Sequence, residues 1–121
     1  MKKEIEDFSD LKGRRIKAIK INSDGTELIF NIKGVGNYKL YHEQDCCEDV
    51  HVSDICGNLE DICDHEILLA EEVSQSQSDP YVEESCTWTF YKLGTIKGSV
   101  VIRWIGLSNG YYSERVTFCR A

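Results

Sequence analysis

A chain of 121 residues, 41% hydrophobic and 10% aromatic with a single proline, is long enough to bury one core and too apolar to stay disordered. Its formal net charge of -7 argues against binding nucleic acid through the phosphates, which needs a basic face; solubility, a basic protein partner or mimicry of a polyanion fit it better. No apolar run is long enough to span a membrane, and MKKEIEDF has no apolar core after its lysines, so neither a membrane helix nor an export signal is expected.

Residues 1–10 read as a polar N-terminal arm, with Ile5 and Phe8 on one side of a short helical turn, and residues 11–121 as a single β-rich domain. RIKAIKI alternates as a strand and leads to Asp24-Gly25, the dipeptide of a type I′ hairpin turn. ELIFNIKG returns with Leu28, Phe30 and Ile32 on one side. GVGN then turns into YKLYHE, which makes three antiparallel strands. The period changes after that. Val52, Ile55, Cys56, Leu59, Ile62 and Cys63 lie on the apolar stripe of a helix, interrupted by Gly57, with Asn58 as an N-cap.

HEILLAEEVSQ reads as another strand, and SQSQSDPYVEES as a loop, being polar, aperiodic and the site of the only proline. CTWTFYKLG, SVVIRWIGL and YYSERVTFCR, the last preceded by a second type I′ signal at Asn109-Gly110, read as a three-stranded meander. The expected fold is α+β and mainly β. It has antiparallel meander sheets of six or seven strands and one short helical element around residues 52–63.

The stretch from Tyr38 to Cys63 concentrates four of the six cysteines and two of the three histidines. Structural zinc sites bring their ligands in close pairs, whereas adjacent Cys46 and Cys47 point to opposite sides of an extended chain, and Cys56 and Cys63 lie on the apolar stripe. Packing is therefore the preferred reading, with Cys46, Cys47 and His42 as the metal candidates. Paired with His42, either thiol would be surrounded by Glu43, Asp45, Glu48 and Asp49, which raise a thiol pKa and work against an activated thiolate. No phosphate loop, nucleophile elbow or zinc-protease motif is present, so no enzyme and no cofactor is expected. Six cysteines without an export signal read as reduced thiols in a cytoplasm.

The C-terminal strands offer a different site, because aromatic rings and arginines on a sheet can stack a base and hold a phosphate. Trp88, Phe90, Ile102 and Trp104 read as core, and period two points Arg103 and Arg115 away from them. The expected ligand-binding residues are Arg103, Arg115, Tyr91, Tyr111, Tyr112 and Asn109, with His42, Glu43 and Asp45 on the rim.

YKLYHEQDCCEDVHVSDICGNLEDI and TWTFYKLGTIKGSVVIRWIGLSNGYYSE together resemble a family of small, uncharacterised proteins encoded by tailed bacteriophages. The resemblance runs from about Leu11 to Phe118, and the strings YHEQDCCE and RW-G-SNGYYSE carry it; Cys56 and Cys119 fall outside the shared pattern. It implies no activity. It does imply a phage gene product in the cytoplasm of an infected bacterium, where small accessory proteins act against host defences. The expected function is non-enzymatic binding and neutralisation of a host defence component, foremost a small nucleotide-type immune signal. An acidic decoy that inhibits a basic host protein is the first alternative, and a small metal-stabilised structural protein the second. A pocket shared across a two-fold axis would suit so small a domain, so a homodimer belongs to the same expectation.

Overall fold

The computed structural model describes residues 7–43, 48–78, 85–108 and 114–121. Among these residues the strands, in chain order, are β1 (Ile16–Ile21), β2 (Glu27–Ile32), β3 (Gly36–Tyr41), β4 (Asp49–Cys56), β5 (Leu69–Ser78), β6 (Ser85–Thr95), β7 (Gly98–Ser108) and β8 (Thr117–Arg120). They form two antiparallel sheets, β1-β2-β3-β8 and β4-β7-β6-β5, packed on one core. The alternation expected of β2 and β3 is present: Leu28, Phe30, Ile32, Tyr38 and Leu40 are all buried on the core face. Phe8, at the end of the stretch read as a polar arm, stands between the sheets. Its ring lies 4.7 Å from that of Tyr91 and 5.3 Å from that of Phe118.

The fold is nearly all-β rather than α+β, since the only helical segments among the described residues are the 3-10 turns Phe8–Leu11 and Leu59–Ile62. The helical element expected around 52–63 is for its first half a strand. In β4, Val52 faces Trp104 and Asp54 faces Arg103, so Ser53 is an extra, bulged residue. A bulge turns a spacing of two into three, and Val52 and Ile55 therefore imitate a helical stripe. The same device in β1 puts Ile16 and Ile19 both against the core. Gly57 then ends β4 at φ +107°, where a Cβ would stand 2.5 Å from the Ser99 carbonyl oxygen. The expected cap is present on the 3-10 turn that follows, where the Asn58 side chain accepts from the Glu60 amide at 3.0 Å.

Three further expectations change. The β1–β2 connection is not a type I′ turn, because Asp24 does not have the positive φ that such a turn requires. A five-residue loop, 22–26, is held instead by the Asn22 side-chain oxygen, which accepts from the amides of Thr26 and Glu27. Residues 74–78 of the expected loop belong to β5 and pair as far as Ser78 with Ser85, while 79–84 lie outside the described residues. The C-terminal meander is broken: β6 and β7 pair, but β8 crosses to β3 in the other sheet. That crossing carries Phe118 into the core, stacked on Tyr38 at 5.2 Å.

The expected core set of Trp88, Phe90, Ile102 and Trp104 mixes two faces. Thr89 pairs with Trp104 and Tyr91 with Ile102, so Thr89 and Tyr91 point inward. Trp88 and Phe90 share the outer face with Ile105 and Arg103.

Candidate functional site: a hydroxyl-lined cleft

The inward positions of three neighbouring strands change character along their length. Along β6 they run Leu93, Tyr91, Thr89, Thr87, and along β7 Val100, Ile102, Trp104, Gly106, Ser108. Their partners on β5 run Ala70, Glu72, Ser74, Ser76. The apolar ends close on the core, and the polar ends leave a cleft of about 430 Å³. Glu72, Ser74 and Ser76 line it from β5, Thr87 and Thr89 from β6, and Glu114, Arg115 and Val116 from the segment leading into β8.

Glu114 organises the polar end. It is 7% exposed, and a buried carboxylate needs several hydrogen bonds to offset lost hydration. It accepts from the hydroxyls of Thr87 at 2.7 Å and Ser85 at 3.3 Å, and also from that of Ser108. Gly106 makes room for it, since a Cβ there would stand 2.7 Å from the Cβ of Glu114. Deeper in, the Tyr91 hydroxyl donates to Glu72 at 3.3 Å. Burial, and then the Glu72 charge, hold the Tyr91 phenol well above its ordinary range.

The wall of this cleft is tied to the acidic centre of the chain. The His42 side chain is 4% exposed and bonds on both ring nitrogens. Nδ1 donates to the Arg115 carbonyl oxygen at 2.7 Å, and Nε2 lies 2.9 Å from the Glu48 carboxylate, itself 1% exposed. A carbonyl only accepts, so Nδ1 carries a hydrogen, and the contact to Glu48 needs one more proton between its two atoms. His42 and Glu48 thus tie the end of β3 to the start of β4 and fix the backbone at Arg115.

A family model described as Domain of unknown function (DUF7448) matches residues 9–118. The chain belongs to that family. The match takes in both sheets and every described residue of the cleft. No curated protein and no solved structure matches the chain.

Within the DUF7448 domain, the described residues among those expected to bind ligand do not all converge. Arg115 lines the cleft and Tyr91 is fully buried, bonded to the lining residue Glu72, but Arg103 is on the outer face of the second sheet. There it holds Asp54 through two hydrogen bonds and lies over the Trp88 ring at 5.9 Å. The Arg103 hydrogen bond keeps the Asp54 carboxyl below its usual range. His42 is a buried clasp rather than a rim residue, and Glu43 is exposed. Asp45, Cys46, Cys47, Asn109, Tyr111 and Tyr112 lie outside the described residues.

Glu72, Ser74, Ser76, Thr87, Thr89 and Glu114 were not expected in a site. The signal for them was a run of small polar residues at period two, continuing inward positions that are apolar further along the same strands. Among the described residues no three histidine, cysteine or acidic side chains gather as metal ligands, and Cys56, Cys63, Cys86 and Cys119 are free thiols. Burial first, then the neighbouring acids, pushes the thiols of Cys63 and Cys86 up. No helix among the described residues is long and apolar enough to cross a membrane.

Proposed function

We propose that this protein is a non-catalytic binding module that sequesters a small nucleotide-type molecule in the cleft. We place it as a tailed-phage product in the cytoplasm of an infected bacterium, acting on a host immune signal. The observation that carries the binding reading is the cleft itself. Its volume of about 430 Å³ falls in the range of small-molecule sites, and its lining offers hydrogen bonds rather than packing. Arg115 supplies a cation for a phosphate, and the serines, threonines and Glu72 supply partners for sugar hydroxyls. Binding is favoured over turnover because the Glu114 carboxylate is engaged by three protein hydroxyls. The phage setting rests on the resemblance of YHEQDCCE and RW-G-SNGYYSE.

A ligand that binds only the folded state raises its stability, by about 2.7 kcal/mol at a hundredfold excess over Kd. A panel of cyclic and ADP-ribose-type nucleotides should therefore include one that raises the melting temperature by several degrees. The absence of any shift at saturating concentration removes this reading, and turnover of a nucleotide replaces it with an enzyme.

A second reading, a decoy for a basic host protein, is favoured by the net charge of -7 and by the outer sheet face. That face carries half-buried Trp88 and Phe90 beside exposed Val73 and Leu107. Retention of one defined basic protein at low salt and its release at high salt would support it.

A further inference from the structure

Resting on the cleft as the binding site, we infer that it recognises a vicinal diol, the adjacent hydroxyls of a ribose or of a free sugar ring. Thr87, Ser85 and Ser108 all donate their hydroxyl protons to Glu114. Thr87 has one proton and has spent it. In its 3.1 Å contact with Ser76, Ser76 must therefore be the donor. Both hydroxyls then turn only lone pairs to the cleft, as does the carboxylate of Glu72, which accepts from Tyr91.

Thr89 is the complement. It is 3% exposed and lines the same cleft, and a hydroxyl can donate as well as accept, so it is a donor available to what the cleft holds.

The occupant must therefore donate to Ser76, Thr87 or Glu72 and accept from Thr89. Against Ser76, Thr87 and Glu72 a phosphate, which only accepts, finds no donor and meets a carboxylate, so a phosphate of the same ligand belongs at Arg115 instead. An ammonium only donates and leaves Thr89 unmet. A hydroxyl does both with one atom. Two on neighbouring carbons suit the paired side chains, since Ser76 faces Thr87 and Ser74 faces Thr89 across the strands.

The test is calorimetric titration of the full chain with four ribonucleosides, their 2′,3′-dideoxy counterparts, D-ribose and D-glucose. At least one diol-bearing probe should bind. A dideoxy counterpart should bind at least about tenfold more weakly, because a site built to bond a hydroxyl rejects the analogue lacking it. Thr87→Val, which keeps shape and loses the hydroxyl, should cause a similar loss. Ser76→Ala, at the exposed end of β5, serves the same purpose if the valine variant fails to fold. A free sugar binding as tightly as the ribonucleosides supports the diol and assigns it to a sugar ring; preference for a ribonucleoside supports it and assigns it to a ribose.

Equal binding of ribo- and dideoxynucleosides overturns the diol while leaving a nucleotide-binding cleft intact. So does a nucleotide that raises the melting temperature when no diol probe binds. If neither the diol probes nor any nucleotide binds, both the diol and the proposed function fall.

Discussion

At one end of the interior Phe8, Phe30, Tyr91 and Phe118 fill the space between the sheets, while further along the same strands Thr89, Thr87 and Glu114 leave it open. The backbone is equally regular at both ends: β5 and β6 pair without a register break from Leu69 and Gly94 to Ser78 and Ser85. The difference lies in what inward side chains require. Apolar groups are satisfied by any close neighbour, so that end collapses into rings at 4.7 to 6.3 Å. Polar groups must each find a specific partner, and short hydroxyls cannot span the gap, so volume remains once Glu114 has taken the donors it needs. The fold is held at the dry end and presents chemistry at the wet one.

Substitutions should separate the two ends. The largest effect is expected for Phe8→Ala, which removes the ring between the sheets and should cost about 3–5 kcal/mol in urea unfolding, with ligand affinity per folded molecule unchanged. A cost below about 1 kcal/mol would mean that Phe8 is peripheral and the dry end is held elsewhere.

His42→Ala should come next, at about 3 kcal/mol, because it removes one partner of the buried His42–Glu48 pair. It also releases the Arg115 carbonyl, so stability and affinity should fall together, placing the clasp between the two ends. Affinity unchanged in a folded His42→Ala protein would show that the cleft wall is held without it.

Gly106→Ala should cost about 1–3 kcal/mol, since the new methyl must displace Glu114. Unlike Phe8→Ala, it should weaken ligand binding more than its stability cost suggests. The reverse pattern would make Glu114 purely structural.

The smallest effect is electrostatic and lies on the outer face. The Asp54 carboxyl is lowered in the folded state by Arg103, so the pair's contribution is present above the unfolded value near 3.8 and is lost as pH falls through the lowered one. Asp54→Asn should flatten the acid limb of a stability–pH curve below about pH 4 and leave cleft affinity untouched. An altered affinity would mean that the outer and inner faces of the sheet communicate.

Much of this was legible in the residues. Leu28, Phe30 and Ile32 announced a half-buried strand, alternation marked β6 and β7 as strands, and Asn58 was recognisable as a cap. Each rests on contacts within a few residues, which is the range over which a sequence pattern is read. The helix expected at 52–63 failed for a local reason that only pairing reveals, because Ser53 counts as extra only against Trp104 and Arg103 on β7. The described residues of the expected site divide between two faces for a similar reason. Period two divides β6 into two faces, Trp88 and Phe90 against Thr89 and Tyr91, without saying which is inside.

By itself, then, the sequence determined that the chain is β-rich, acidic and able to bury one core, with most strands where alternation places them. The tertiary structure decided which face of β6 looks inward, that β8 crosses to the first sheet, and that Glu114 lies among the hydroxyls of β6 and β7. The physical reason is sequence distance. A side chain's direction along one strand is a local property, but inside and outside exist only once residues as far apart as Phe8, Tyr91 and Phe118 close around the same space.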